Sequence, residues 1–320
     1  MGNIKNKYRI IFMGTPGFAL PSLNVLIEEG HEIAAVVTRP DKPKGRGGRI
    51  EAPPVGAFAK KHGLELLQPV KVREADFVGK LRSYNADLFI TAAYGRILTG
   101  EVLSVPLYGC INVHASLLPE LRGAAPIQWA LIKGYKETGI TTMMTDEGMD
   151  TGDILLKSCV KIAPEMNSGE LHDILAAEGA AVLKKTLEKL SDGTLPRIPQ
   201  DHSAATYAPL LTPDTGRICW SKEAYQIHDL VRGLAPYPGA YTFFRGEQIK
   251  IWKTACIADP SSGYAEEKPG TVTGVGKDFI KIACGSGELI IIELQACSCR
   301  RMSSMEYLCG HMVKTGEIFE

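Results

Sequence analysis

The sequence predicts an α/β fold: a doubly wound N-terminal domain followed by a smaller C-terminal β-barrel of OB-like type. Three observations carry this. Short, unbroken apolar runs alternate with amphipathic stretches through the first half, as in parallel sheets whose strands are buried on both faces. Between 191 and 212 the periodicity is lost amid Gly193, Pro196, Pro199 and Pro209, which reads as a linker. Beyond it, short β-rich pieces are separated by turns, the pattern of a small antiparallel barrel.

In chain order, residues 9–13 form an apolar run that ends at Gly14-Thr15-Pro16-Gly17, a strand feeding a turn. Phe18, Leu20, Leu23, Leu26 and Ile27 then recur at helical spacing up to Gly30. Residues 32–38, 87–93 and 110–113 read as further strands, 124–133 as a helix after the last of them, and 168–190 as a long helix with Leu171, Leu175, Leu183 and Leu187 on one face. In the second half, strands are predicted at 240–244, 248–253, 270–274, 279–283 and 288–294. Ligands are expected at the carboxyl ends of the first domain's strands.

The chain has 320 residues, 45% of them hydrophobic and 22% charged, enough to build a packed core and to exclude global disorder. Its 36 Lys+Arg balance 36 Asp+Glu, so contact with a polyanion must be local rather than driven by net charge. No apolar run approaches the roughly 20 residues needed to cross a bilayer, and residues 1–6 hold no signal-peptide core. No membrane partner is expected. The eight cysteines are scattered, consistent with thiols in a reducing cytosol. Cys297 and Cys299 are one residue apart, with no second pair at zinc spacing, so no metal is expected.

Gly14-Thr15-Pro16-Gly17 sits where a dinucleotide fold keeps its glycines, yet it is not G-x-G-x-x-G, and Pro16 removes an N–H that would face a phosphate. A tight strand-to-helix turn is the preferred reading. Asn112-Val113-His114 is more informative. Residues two apart on a strand share a face, which sets an amide donor beside a titratable imidazole, a pair suited to acyl transfer. Alone, the pattern fits a satisfied structural histidine equally well. Asp150 and Asp153 lie in a loop with Gly148 and Gly152. A carboxylate there can reach a neighbouring strand end, or be only a solvated turn.

Together, Asn112-Val113-His114-Ala115-Ser116-Leu117-Leu118-Pro119, Arg122-Gly123-Ala124-Ala125-Pro126 and Gly148-Met149-Asp150-Thr151-Gly152-Asp153 resemble the 10-formyltetrahydrofolate-dependent formyltransferases. The match is nearest to the members acting on methionyl-tRNA. The resemblance implies Asn112, His114 and Asp150 as the catalytic group. It also implies Tyr94, Gly95, Arg96, Ile97 and Leu98, with Ser116, Leu117, Leu118 and Pro119, as folate-binding. Arg96 replaces a residue often apolar in tRNA-specific members. The implied co-substrate is 10-formyltetrahydrofolate, and the implied acceptor is initiator methionyl-tRNA.

Residues 39–49 carry five basic side chains and one acid among prolines and glycines, which read as a mobile loop without helix or strand. Cations on such a loop suit a phosphate backbone. It is similar to the loop that tRNA-specific formyltransferases insert at the acceptor end, which implies Lys42, Lys44, Arg46 and Arg49 as tRNA contacts, Arg46 foremost. The resemblance divides the chain into a Rossmann-like catalytic domain, 1–190, a linker, 191–206, and a tRNA-binding β-barrel, 207–320. A monomer in the bacterial cytoplasm is expected. Two alternatives stay open: a sugar-nucleotide N-formyltransferase, and a folate- or RNA-binding protein without activity.

Overall fold

The computed structural model describes residues 7–44, 49–257 and 267–320. They group into two compact units: the described residues of Met1–Pro126 with Glu137–Lys161 and His172–Pro209, and Ile127–Lys136 with Ile162–Leu171 and Leu210–Glu320.

The strands of the first unit are β1 (Arg9–Gly14), β2 (Glu32–Val37), β3 (Lys42–Lys44), β4 (Arg49–Glu51), β5 (Leu66–Leu67), β6 (Leu88–Ala92), β7 (Cys110–His114), β8 (Arg122–Gly123), β9 (Glu137–Met144), β10 (Ile154–Lys161) and β11 (Tyr207–Ala208). Seven of them form one sheet in the order β10-β9-β7-β6-β1-β2-β5. Adjacent pairs from β5 through β7 are parallel. The strand order reverses direction at β1 and β6, so the carboxyl ends of these strands border the crevice where α/β sheets bind ligands. Ile10, Ile11, Phe12, Leu88, Phe89 and Ile90 are fully buried, the two-faced burial expected of continuous apolar runs.

The sheet is not wholly parallel. β9 runs antiparallel to β7, and β10 antiparallel to β9. Buried threonines interrupt the apolar pattern of β9 and hide it from a hydropathy reading; Thr141 Oγ1 donates to Ser116 O at 2.7 Å, and Thr142 bonds Thr186 at 2.8 Å. The described residues of the 39–49 segment also differ from expectation. β3 and β4 pair as a short antiparallel hairpin, Lys42 opposite Glu51 and Lys44 opposite Arg49. An isolated two-stranded hairpin tolerates Pro43, because the missing N–H need not serve a further strand.

The segment expected as a linker, 191–206, packs within the first unit. It leads into β11, which pairs in parallel with β8.

The second unit holds β12 (Ala240–Phe244), β13 (Glu247–Ile257), β14 (Val272–Val275), β15 (Ile280–Ala283), β16 (Glu288–Ala296) and β17 (Met302–Ser303). They form an antiparallel sheet in the order β12-β13-β16-β15-β14, with β17 on β16. Residues 316–320 join its two edges. Phe243 and Glu320 exchange backbone hydrogen bonds at 3.1 and 2.8 Å, and Val272 N donates to Glu317 O at 2.8 Å. These pairings join the edge strand β12 to the start of β14 and close the sheet into a barrel. Its core includes Ile227, Val231 and Leu234 from the helix Ala224–Leu234, packed with Ile251, Ile282, Ile291 and Leu294.

Candidate active site

β7 ends in the alternation the sequence predicts: Ile111 and Val113 are buried on one side, and Asn112 and His114 share the other. Thr91, on the neighbouring β6, donates its hydroxyl to Asn112 Oδ1 at 2.7 Å. That bond occupies the amide oxygen and leaves Nδ2 as the donor end of the side chain.

His114 is 6% exposed. Its Nε2 lies 3.1 Å from the carbonyl oxygen of Leu121. A carbonyl only accepts, so the proton sits on Nε2 in this contact. Nδ1 faces Asp150 Oδ1 at 3.6 Å, an ion-pair separation longer than a hydrogen bond. Both ring nitrogens thus face oxygen, Nε2 through a hydrogen bond and Nδ1 across the wider gap to the carboxylate.

Asp150 occupies the turn between β9 and β10 with φ +54°, a left-handed geometry that aspartate tolerates better than most residues. Its Oδ2 accepts the backbone N–H of Gly123 at 2.8 Å. Gly152 closes the turn so tightly that a Cβ there would sit 1.9 Å from Met144 O. Gly123 has φ +120°, a conformation that essentially only glycine holds. The segments 112–114, 121–123 and the Asp150 turn therefore meet around the imidazole.

The residues expected to touch folate fall into two groups. Gly95, Arg96 and Ile97 line an open cavity of about 490 Å³ with Arg39, Lys42, Lys71 and Arg73. No carboxylate is among its lining residues. Arg39 donates to Gly95 O and Arg96 to Val70 O. Tyr94 is buried, and its hydroxyl has no hydrogen-bond partner among the described residues; burial pushes its pKa up to about 12. Leu98 is buried too. In the second group, the Ser116 hydroxyl is spent on Glu120 O at 2.5 Å, and Leu118 packs with Met143 and Ile154. Leu117 lies beside Gly139, and Pro119 O accepts from Thr206 N at 3.3 Å. Asn112, His114 and Asp150 do not line the basic cavity. Of the expected RNA contacts, Lys42 lines that cavity, Lys44 and Arg49 are backbone register partners in the β3–β4 hairpin, and Arg46 lies outside the described residues.

Sequence reasoning missed Thr91, Leu121 and Gly123. Each acts through a backbone atom or a single hydroxyl, which leaves no motif to read.

Comparison with known proteins gives a consistent picture. Residues 8–187 match the family model described as formyl transferase, and residues 210–312 match formyl transferase, C-terminal domain. The chain is 54% identical over 310 residues to methionyl-tRNA formyltransferase of Acetivibrio thermocellus, covering 97% of this chain and 99% of that one. It is 48% identical over 307 residues to methionyl-tRNA formyltransferase of Geobacter metallireducens, covering 96% and 97%. Among solved structures, WlaRD, a sugar 3N-formyl transferase crystallised with dTDP and 5-N-formyl-THF, is similar in fold at TM-score 0.66 and 17% identity, over 93% of this chain and 100% of that one. HypX from Aquifex aeolicus in complex with tetrahydrofolic acid is similar at TM-score 0.63 and 17% identity, over 94% and 47%.

Proposed function

This chain belongs to the formyl transferase family, and from that premise we propose that it moves the formyl group of 10-formyltetrahydrofolate onto the α-amino group of methionine carried by initiator tRNA. Its relatives at 46–54% identity are bacterial proteins named for that reaction. The observation that supports the chemistry best is His114 held between the Asp150 carboxylate and the Leu121 carbonyl, on the strand face it shares with Asn112.

The reaction joins the amine nitrogen to the formyl carbon, then breaks the bond from that carbon to the folate nitrogen. A proton leaves the amine, and one arrives on the departing folate nitrogen. An ester-linked α-amine is less basic than a lysine, so a useful neutral fraction exists near pH 7. Asn112 Nδ2 donates to the oxyanion that develops on the formyl oxygen, and the imidazolium of His114 supplies positive charge beside it. Asp150 holds the imidazole and takes part in passing the proton. Thr91, by occupying Oδ1 of Asn112, leaves Nδ2 as the end that donates to the formyl oxygen.

Residues 94–98 and 116–119 form the folate side in this reading. The cations around the 490 Å³ cavity suit the carboxylates of the folate tail. Lys42, Lys44, Arg46 and Arg49 follow the RNA backbone. The domain assignments of 1–190 and 207–320 to catalysis and tRNA binding belong to this proposal, as do a monomeric state and a cytoplasmic setting. Among the described residues no helix is long and apolar enough to cross a membrane.

The test offers the protein 10-formyltetrahydrofolate with either methionyl-tRNA or an amino-sugar nucleotide. Formylmethionyl-tRNA as the product is the expected result. Formylated sugar nucleotide instead would select the sugar N-formyltransferase reading, and no product from either would leave only a binding protein.

A further inference from the structure

His114 faces Leu121 O on one side and Asp150 on the other, and both partners sit at left-handed backbone positions, φ +56° and +54°. Non-glycine residues keep such geometry only where their surroundings enforce it. One segment outside the three motifs does so at both places.

Gln200 is 7% exposed. Its side-chain amino group donates to Asp150 O at 2.9 Å and to Gly152 O at 2.7 Å, spanning the turn that carries the carboxylate. Its Oε1 accepts from Arg122 Nη2 at 2.6 Å and Nε at 3.2 Å. Arg122 is 2% exposed, and its Nη1 donates to His202 Nδ1 at 3.2 Å. A guanidinium can only donate, so the glutamine oxygen must face it and the amino group must face the turn. Six residues on, Thr206 Oγ1 accepts the N–H of Leu121 at 2.9 Å, while Arg122 N donates to Thr206 O at 2.9 Å.

We propose that residues 200–206 are a positioning strap for the imidazole of His114, with Gln200 setting the carboxylate that faces Nδ1 and Thr206 setting the carbonyl that faces Nε2. Neither residue touches the reacting atoms; each acts through the group it holds. The proposal rests on the formyl-transfer reading given above. A displacement of about 1 Å in a positioned group costs on the order of 10²-fold in rate, so the strap sets turnover rather than substrate affinity.

The test measures kcat, KM for each substrate and Tm in Gln200→Glu, Thr206→Val and Thr206→Ser, with wild type and Asp150→Asn assayed alongside. Glutamate at 200 still accepts from Arg122 but offers no N–H to the turn. We expect its kcat to fall about 10- to 100-fold with both KM values and Tm close to wild type. Thr206→Val should lose about 10-fold or more in kcat, and Thr206→Ser, which keeps the hydroxyl, should recover it. Wild-type kcat in both Gln200→Glu and Thr206→Val overturns the strap, as does a loss that follows Tm or KM instead of kcat, or a Thr206→Ser no better than the valine. If the wild type forms no formylmethionyl-tRNA, or Asp150→Asn turns over normally, the formyl-transfer reading fails and the strap falls with it. An active wild type, an inactive Asp150→Asn and unaffected strap variants overturn the strap alone.

Discussion

At the scale of single residues, the site divides into what a spacing can reveal and what it cannot. That Asn112 and His114 share a face was legible because a strand repeats every two residues; a catalytic role for them was expected only from the combined motifs. Asp150 was legible only in combination with the other motifs, since its turn alone reads as solvated loop. Thr91, Gln200 and Thr206 escaped because their partners are one amide oxygen and several backbone atoms, for which no residue pattern is required. Replacing Asn112 or His114 by alanine should lower single-turnover formylation about 10²- to 10³-fold, the scale of one lost oxyanion donor. Wild-type rates in either variant would remove that side chain from the chemistry.

The cysteines give a second residue-level expectation. Burial pushes the thiols of Cys110 and Cys284 up to about 12, whereas Cys219, exposed and hydrogen-bonded with Ser221, lies below the ordinary thiol value. Cys159 is also exposed but shifts upward, through desolvation and its contact with Glu137. A lower pKa leaves more thiolate at a given pH. Iodoacetamide on the native protein at pH 7 should therefore label Cys219 faster than Cys159 and leave Cys110 and Cys284 unmodified, as peptide mass mapping would read. Equal rates at Cys219 and Cys159 would contradict this.

At the scale of elements, β1, β2, β6 and β7 were readable as unbroken apolar runs, whereas the two-residue β5 was too short to read and β9 was hidden because internal hydroxyl bonds let threonine stand where leucine would normally mark a core strand. β10 alternates buried with exposed residues and carries no such run. The joining of the barrel edges by residues 316–320 was also invisible, being a pairing between segments distant in sequence. It rests on Phe319, 1% exposed, stacked on Phe244 at 4.3 Å and edge-on to Trp220 at 6.2 Å. Phe319→Ala should cost about 3–5 kcal/mol, seen as a lower urea midpoint. In the helix Ala224–Leu234, Asp229 and Arg232 form a buried pair at 2.6 Å. Asp229→Ala strands the guanidinium and should cost about 3–5 kcal/mol; an unchanged midpoint would show the pair to be dispensable.

At the scale of the whole molecule, the division into an α/β unit and a β unit followed directly from the change in apolar pattern along the chain. The place where the first unit stops did not, because a proline-bearing stretch without periodicity looks the same whether it hangs free or is bonded along its length. Charge matters at this scale too. With a formal net charge of +0, attraction to tRNA in the proposed reading must come from local groups, Lys42, Lys44, Arg46 and Arg49 among them. KM for methionyl-tRNA should rise about tenfold or more between 50 and 200 mM salt if three or more phosphates are neutralised. A salt-independent KM would argue against a phosphate-tracking surface.

The strap also bears on biosynthesis. Chains emerge from the ribosome N-terminus first, at roughly 5–20 residues per second, and Asn112, His114 and Asp150 all appear well before Gln200 and Thr206. A nascent chain stalled near residue 190 would already carry every reactive group and still lack the grip on the imidazole. The strap's share of the turnover rate would then arrive late, once Thr206 clears the exit tunnel.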